Sequence, residues 1–190
     1  MVLPELTIDE AVLGNIQDWL QDHEHPFELV AAGSFHVMRP EGRRNEAVLL
    51  GRWGDPLLTH IKLQPMRQTM RVAGAEEHHD EDIVGHDELR VLAGPHGLLA
   101  LAICLDFCEA SSTPIGSLWP KLGPALVLVP SMGEAPTNKR HDVRARELRA
   151  QHMTRVLMAS QHPQKPTAVG HAWFDEGQAD NSPVLLLRVD

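Results

Sequence analysis

Two stretches of the sequence, "GLLALAIC" at 97–104 and "ALVLVPS" at 125–131, are apolar at successive rather than alternate positions. A strand with one face in water alternates apolar and polar residues, whereas a strand covered on both faces does not. A short helical segment ending near Lys121 and a charged helix at 139–152 accompany these runs. The sequence therefore predicts a layered α/β architecture.

The rest of the chain divides into short elements separated by turn residues. Thr7 is the expected N-cap of a helix that ends near 25–26, because apolar residues recur at helical spacing after it. The segment 67–87 is expected to be an exposed loop. Further strands are expected at 27–32, 46–50, 57–63, 155–159, 169–174 and 184–189, with a turn at 94–97. No repeat or low-complexity linker interrupts the chain, so a single domain is expected over 1–190.

The composition indicates which partners and which cell compartment to expect for this protein. The formal net charge of -9 argues against a nucleic-acid-binding surface. There is no apolar run of about eighteen residues and no signal-peptide pattern at the start, so neither membrane insertion nor secretion is expected. Cys104 and Cys108 are too few for a disulfide framework, which favours the reducing cytoplasm.

Three residues could carry chemistry, and each also has a plain structural interpretation. Cys104 ends an apolar strand pattern just before a helix-like segment, where backbone N–H groups favour a thiolate and can stabilise an oxyanion. A buried, inert thiol is the common alternative. Lys62 in "LLTHIKLQP" and Glu5 in "VLPEL" could equally be solvated residues of a strand edge and a strand end.

The order of these three residues and the sequences around them match a known pattern. The pieces "VLPE" at 2–5, "HIKLQP" at 60–65 and "AICLD" at 102–106 resemble motifs of the carbon–nitrogen hydrolase, or nitrilase-like, superfamily. Weaker companions follow the same order, with "GSF" at 33–35, "NEA" at 45–47 and "VPS" at 129–131. The resemblance spans most of the chain.

The resemblance implies a four-layer α-β-β-α sandwich and a Glu-Lys-Cys triad. In that triad Glu5 is the general base and Cys104 the nucleophile. Lys62 and the backbone N–H of Leu105 stabilise the developing negative charge. The implied reaction is hydrolysis of a small amide without metal or organic cofactor. Amides are favoured over nitriles because "CLDF" lacks the Trp-Glu that commonly follows the cysteine of true nitrilases. A homodimer or larger homo-oligomer is implied as well.

Family members often carry a second glutamate between the lysine and the cysteine. Glu76 or Glu77, in "AEEHHDED" at 75–82, is the expected counterpart. The same stretch has a rival interpretation as a metal site made of His78, His79, Asp80 and Asp82. Adjacent histidines lack the i,i+4 spacing of a helical metal site, so a solvated loop is favoured.

The start of the chain departs most from the family pattern. Family members ordinarily have a strand and a helix before the Pro-Glu strand, and neither precedes Glu5 here. We therefore expect an N-terminally truncated member of the fold, a domain of a longer protein, or a fold completed by a partner. A catalytically inactive or regulatory module remains the alternative function, and a metal-binding protein organised by the histidine-rich loop is another.

Overall fold

The structure is a computed structural model that describes residues 1–72, 75–133, 135–161 and 168–173. Its helices are α1 (Glu10–Asp22), α2 (Leu105–Cys108), α3 (Leu118–Leu122) and α4 (Ala135–His152). Its strands are β1 (Leu29–Arg39), β2 (Gly42–Gly51), β3 (Pro56–Ile61), β4 (Arg67–Val72), β5 (Ala75–Asp80), β6 (Val91–Gly94), β7 (Gly97–Leu101), β8 (Leu126–Met132), β9 (Arg155–Gln161) and β10 (Ala168–Trp173).

Two sheets pack face to face between layers of helix. Strands β1, β2 and β3 form an antiparallel sheet, and β10, β9, β8, β7 and β6 form a mixed sheet in which β7, β8 and β9 run parallel. The cluster between the sheets includes Ala31 and Leu49 from the first sheet and Leu101 and Leu128 from the second. Buried residues join α1 to the outer face of the first sheet, and α2, α3 and α4 to the outer face of the second. The predicted α-β-β-α sandwich is confirmed.

Strand β8 shows why its sequence is apolar at successive positions. Val127 and Val129 face the helices, whereas Leu128 lies in the cluster between the sheets. Both faces of the strand are thus covered, as the sequence predicted. The turn at 94–97 joins β6 and β7, also as predicted, while the strand expected at 184–189 lies outside the described residues.

The prediction of an exposed loop at 67–87 is wrong for residues 67–72 and 75–80, which are strands. β4 and β5 pair there as an antiparallel hairpin. The register sets Arg67 opposite Asp80, and Arg67 Nε lies 4.0 Å from Asp80 Oδ2; opposite charges across an antiparallel pair stabilise it. Because these strands show little apolar alternation, the hydrophobic pattern carried no strand signal.

The N-cap of α1 also differs from the prediction. Asp9 is the cap, and its Oδ1 accepts a hydrogen bond from the Val12 N–H at 2.8 Å. Thr7, the predicted cap, instead donates its hydroxyl to the Pro4 carbonyl oxygen at 2.7 Å. Asp9 therefore caps the helix two residues later than predicted, and Thr7 stabilises the turn that precedes it.

The first residues of the chain are held against β1. Val2 forms a parallel bridge with Ala31, and the Leu3 N–H donates to the Ala31 carbonyl oxygen at 2.9 Å. The pairing of β1 with β2 shifts register between Ala31 and Ser34, where Gly33 has a φ of 78°. Ser34 Oγ accepts the Leu6 N–H at 3.2 Å. This bulge therefore fixes the turn on which Glu5 lies.

Candidate active site

Glu5, Lys62 and Cys104 come from three distant parts of the sequence and meet at one end of the sandwich. Glu5 follows the segment paired with β1, Lys62 directly follows β3, and Cys104 lies between β7 and α2. Each residue is almost completely buried, with 2%, 1% and 1% of its surface exposed. Glu5 and Lys62 are therefore not solvated residues of a strand end and a strand edge, which was the structural alternative.

Both carboxylate oxygens of Glu5 accept hydrogen bonds. Oε1 accepts from Lys62 Nζ at 2.7 Å and from Asn45 Nδ2 at 3.1 Å, while Oε2 accepts from the Met132 N–H at 3.0 Å. Burial raises the pKa of Glu5 from its ordinary value, although the Lys62 charge acts to lower it. A carboxyl group with a raised pKa is suited to accept and return a proton near neutral pH.

The Lys62 ammonium group lies between two carboxylates. Nζ is 2.7 Å from Glu5 Oε1 and 2.6 Å from Glu81 Oε2. Burial alone would lower the pKa of Lys62, but the charges of Glu5 and Glu81 outweigh it and raise that pKa. Lys62 therefore stays charged and supplies a fixed positive charge inside the site.

Glu81 is a site residue that sequence reasoning missed. It directly follows β5, and its Oε2 accepts the Met66 N–H at 3.0 Å while its Oε1 accepts Asn45 Nδ2 at 2.9 Å. Burial acts to raise the pKa of Glu81, but Lys62 and these hydrogen bonds lower it below the ordinary value, so the group is ionised.

The sequence predicts the second glutamate at Glu76 or Glu77, close to Glu81 in the chain. The backbone of Glu76 and Glu77 lies on β5, and their side chains lie outside the described part of the structure. Their assignment stays a prediction, while Glu81 is the glutamate in contact with Lys62. Glu81 belongs to the same "AEEHHDED" stretch. The position where β5 ends, which the sequence pattern did not show, would have indicated Glu81.

Cys104 occupies a strained backbone position at the start of α2. Its φ of 47° is in the left-handed region, which costs a residue with a side chain free energy of order 1–3 kcal/mol. The thiol donates towards the Met132 carbonyl oxygen at 3.6 Å, and Ser131 Oγ donates to Sγ at 3.4 Å. Leu105 follows as the first residue of α2. Such strain is typical of a nucleophile held on a sharp strand-to-helix turn.

The resting state of Cys104 is a neutral thiol. Burial and the negative charge of Glu5 raise the pKa of Cys104 to about 12, although Lys62 acts in the opposite direction. Glu5 and Cys104 are linked through one residue, since the N–H of Met132 donates to Glu5 and its carbonyl oxygen faces the thiol. As a nucleophile, the sulfur would need a base, and the Glu5 carboxylate is beside it.

A small cavity opens beside these groups. Its volume is about 120 Å³. A cavity of about 10–15 Å³ on this scale holds one water molecule, so this space is large enough for several waters or one small molecule. The cavity is lined by Glu5, Leu6, Lys62, Met66, Asp80, Glu81 and Met132.

The described residues show no metal centre. No group of three or more histidine, cysteine, aspartate or glutamate side chains is arranged there to hold a metal ion. The side chains of His78 and His79, in the rival metal interpretation, lie outside the described residues. Within the described helices, none is both long and apolar enough to cross a membrane.

Solved structures with the same fold include amidases and other nitrilase-superfamily proteins. A Glu-to-Gln mutant of the amidase from Nesterenkonia sp. AN1, with the acetamide moiety of fluoroacetamide covalently added at its active-site cysteine, has a TM-score of 0.60 and 17% identity. It is matched over 89% of this chain and 67% of its own. The C. elegans NitFhit protein has a TM-score of 0.65 and 19% identity, over 89% of this chain and 46% of its own.

Saccharomyces cerevisiae Nit3, a member of branch 10 of the nitrilase superfamily, has a TM-score of 0.57 and 14% identity, over 89% of this chain and 67% of its own. No family model matches the sequence, and no curated protein matches it. This chain spans 46–67% of the length of these three solved chains. At such identities the likeness is one of fold, and the fold is that of the nitrilase superfamily.

Proposed function

We propose that this chain hydrolyses the carbon–nitrogen bond of small amides, with Glu5 as general base, Lys62 as electrostatic stabiliser and Cys104 as nucleophile. The observation that supports this most is the Lys62 ammonium group, buried against the Glu5 carboxylate at 2.7 Å, with both charges acting on the pKa of Cys104. Burying a charged pair is costly, so its presence around a thiol favours a functional role.

In the first half of the reaction, Glu5 accepts the thiol proton as Cys104 Sγ attacks the amide carbonyl carbon. The C–S bond forms, and the carbonyl π electrons move onto oxygen. Lys62 and the Leu105 N–H stabilise that oxyanion. When the oxyanion collapses, the C–N bond breaks, the nitrogen takes the proton from Glu5, and ammonia leaves a thioester on Cys104.

In the second half, Glu5 acts on water. The Glu5 carboxylate accepts a proton from a water molecule, and the oxygen of that water attacks the thioester carbon. The C–S bond breaks, the sulfur regains its proton from Glu5, and the carboxylic acid is released. The balance is amide plus water giving acid plus ammonia, and no metal or organic cofactor enters any of these steps.

The size of the cavity supports a small substrate. About 120 Å³ accommodates a short aliphatic amide of a few heavy atoms better than a large one. The Glu-to-Gln mutant of the Nesterenkonia amidase, which has the same fold, carries the acetamide moiety of fluoroacetamide at its active-site cysteine. Acetamide and propionamide are therefore the first substrates to test.

A homodimer or larger homo-oligomer is part of the same proposal. It rests on the family resemblance, in which subunits pair through helices near the active site. Light scattering coupled to size-exclusion chromatography should give a mass of at least two chains. A monomeric mass across micromolar concentrations would contradict this part of the proposal alone.

A second candidate function is a non-catalytic or regulatory module with the same fold. It is favoured by the burial of Cys104, which is only 1% exposed, and by a cavity whose lining, among the described residues, does not include it. In that case the buried ion pair would serve only to hold the turn at Glu5 against the segment that follows β3.

The deciding experiment is ammonia release from acetamide, propionamide and butyramide. The wild-type chain and the Cys108→Ala control should release ammonia, and Cys104→Ala should not. Cys108 is a matched control because it is also a buried free cysteine, four positions further along. In parallel, iodoacetamide should label Cys104 faster than Cys108. Slow, equal labelling of both thiols with no ammonia from any amide would overturn the proposal and favour the regulatory module.

A further inference from the structure

A second buried pair, His60 and Asp106, lies beside the site without belonging to the proposed chemistry. Both side chains are fully buried, and His60 Nε2 lies 2.8 Å from Asp106 Oδ2. His60 Nδ1 has no hydrogen-bond partner among the described residues. A proton on Nε2 therefore serves the carboxylate and leaves no buried N–H unpaired.

Asp106 also holds the backbone next to Lys62. Its two carboxylate oxygens accept the Leu63 N–H at 3.2 and 3.1 Å. The N–H of Lys62 itself donates to the Asn45 carbonyl oxygen at 2.9 Å. The short segment that carries the ammonium group is thus fixed on one side by the first sheet and on the other by Asp106.

The other end of this connection is the turn that carries the sulfur. Asp106 lies two residues after Cys104 in α2, and its N–H donates to the Ile103 carbonyl oxygen at 3.0 Å. Its own carbonyl oxygen accepts from Trp119 Nε1 at 2.8 Å. The Asp106 carboxylate therefore joins β3, in the first sheet, to the strained turn that follows β7 in the second.

We infer that the His60–Asp106 pair sets the position of the Lys62 ammonium group relative to the Cys104 sulfur, and that both members are positioning residues for the reaction. This inference rests on the proposed function, since it assigns the pair to the same site. A buried carboxylate that accepts hydrogen bonds from two donors, the Leu63 N–H shared between both oxygens and His60 Nε2, has little freedom to shift. A displacement of about 1 Å within an active site can cost on the order of a hundredfold in rate.

The effect of Asp106→Asn on Cys104 separates positioning from simple electrostatics. Removing a negative charge two residues from the sulfur would, by itself, favour the thiolate and speed its alkylation. Release of Lys62 from its position would remove the positive charge that favours the thiolate, and would slow alkylation. The two explanations therefore predict opposite signs.

The experiment measures the rate of Cys104 alkylation by iodoacetamide at pH 8, with the site of labelling assigned by fragment-ion mass spectrometry. In Asp106→Asn, folded by circular dichroism, we expect a rate at least about tenfold below wild type. The control, Asp142→Asn, neutralises a carboxylate on α4 that accepts hydrogen bonds from Trp173 Nε1 and Arg146 Nε; it should leave the rate unchanged because these contacts involve neither Lys62 nor Cys104. An unchanged or faster rate in folded Asp106→Asn overturns the inference.

Two variants of His60 keep the inference testable if Asp106→Asn does not fold. A glutamine side chain can still donate an N–H to Asp106, whereas leucine cannot. His60→Gln should stay within about threefold of the wild-type alkylation rate and His60→Leu should fall about tenfold or more. Equal rates in the two variants would overturn the inference.

Turnover distinguishes this inference from the proposed function. With an amide that the wild type hydrolyses, Asp106→Asn should lower kcat about tenfold or more and change KM little, because positioning acts on the transition state. If the wild type hydrolyses no amide, the proposed function fails, while the alkylation rates still decide the positioning role. If Asp106→Asn turns over normally, the inference fails and the proposed function stands.

Discussion

Gly33 lies so close to Pro4 that a Cβ atom on it would stand 2.6 Å from the Pro4 carbonyl oxygen. The glycine also has a φ of 78°, a conformation that side chains disfavour by about 1–2 kcal/mol. Since Pro4 precedes Glu5, this contact sets how closely the Glu5 turn approaches β1.

Gly33→Ala should lower the free energy of unfolding by about 2–4 kcal/mol, because strain and a backbone clash add together. Urea denaturation measures this. Gly14→Ala is the matched control, since Gly14 lies in α1 with nothing within 4 Å of the added methyl group. It should raise stability by about 0.5–1 kcal/mol through helix propensity. Equal effects of the two substitutions would contradict the role assigned to Gly33.

Lys62→Met should destabilise the fold by about 3–5 kcal/mol at pH 7, because it leaves two buried carboxylates facing each other without a counter-charge. The double variant Lys62→Met/Glu81→Gln should recover part of that loss by removing one of the charges. Chemical denaturation of both variants tests this. If the double variant were less stable than the single one, repulsion between Glu5 and Glu81 would not be the cause of the loss.

Glu5 and Glu81 should respond to pH in opposite directions. The folded-state pKa of Glu81 is lowered from 4.5, so its ionisation contributes stability above that value, which is lost as the pH falls through the folded-state pKa. The folded-state pKa of Glu5 is raised from 4.5, so its contribution falls as the pH rises from 4.5 through the folded-state pKa.

Each contribution is measured as the difference in unfolding free energy between the wild type and a glutamine variant. The difference for Glu81→Gln should shrink as the pH drops below about 4.5, while the difference for Glu5→Gln should shrink as the pH rises above it. If the two stability differences changed with pH in the same direction, the pKa values of Glu5 and Glu81 would not be shifted in opposite directions, and the prediction would be wrong.

Ser131→Ala should slow the alkylation of Cys104 at pH 8 by about fivefold, because one hydrogen bond to the sulfur is worth about 1 kcal/mol. The hydroxyl donates to Sγ at 3.4 Å and so favours the thiolate. Ser160→Ala is the control, since Ser160 is a buried serine on the neighbouring strand that donates to Asn138 instead. A matching slowdown in the control would mean that the effect comes from β8–β9 packing.

The sequence predicts the framework of this site because its strands leave strong patterns. Val127 to Val129 are apolar at every position, and Glu5, Lys62 and Cys104 each lie where an apolar segment ends. Buried strands are constrained to be apolar throughout, so the order of the elements can be predicted without coordinates.

Glu81 and Asp106 could not be assigned in the same way. Glu81 is one of several acidic residues in "AEEHHDED", and its contact with Lys62, just after the end of β5, distinguishes it. Asp106 was visible in "AICLD", but its contacts with His60 and Leu63 cross from one sheet to the other. Long-range polar contacts leave no period in a sequence, so they appear only when the chain is folded.

The hydrogen bond from the Met132 N–H to Glu5 joins residues 127 positions apart. Closing so long a loop costs chain entropy before any contact compensates it, and topologies rich in such contacts fold slowly. During synthesis, Glu5 leaves the ribosome long before the strand that completes its surroundings. After dilution from urea, protection of Cys104 from thiol reagents should therefore return later than the helical circular-dichroism signal. The assembled site is thus a late marker of folding.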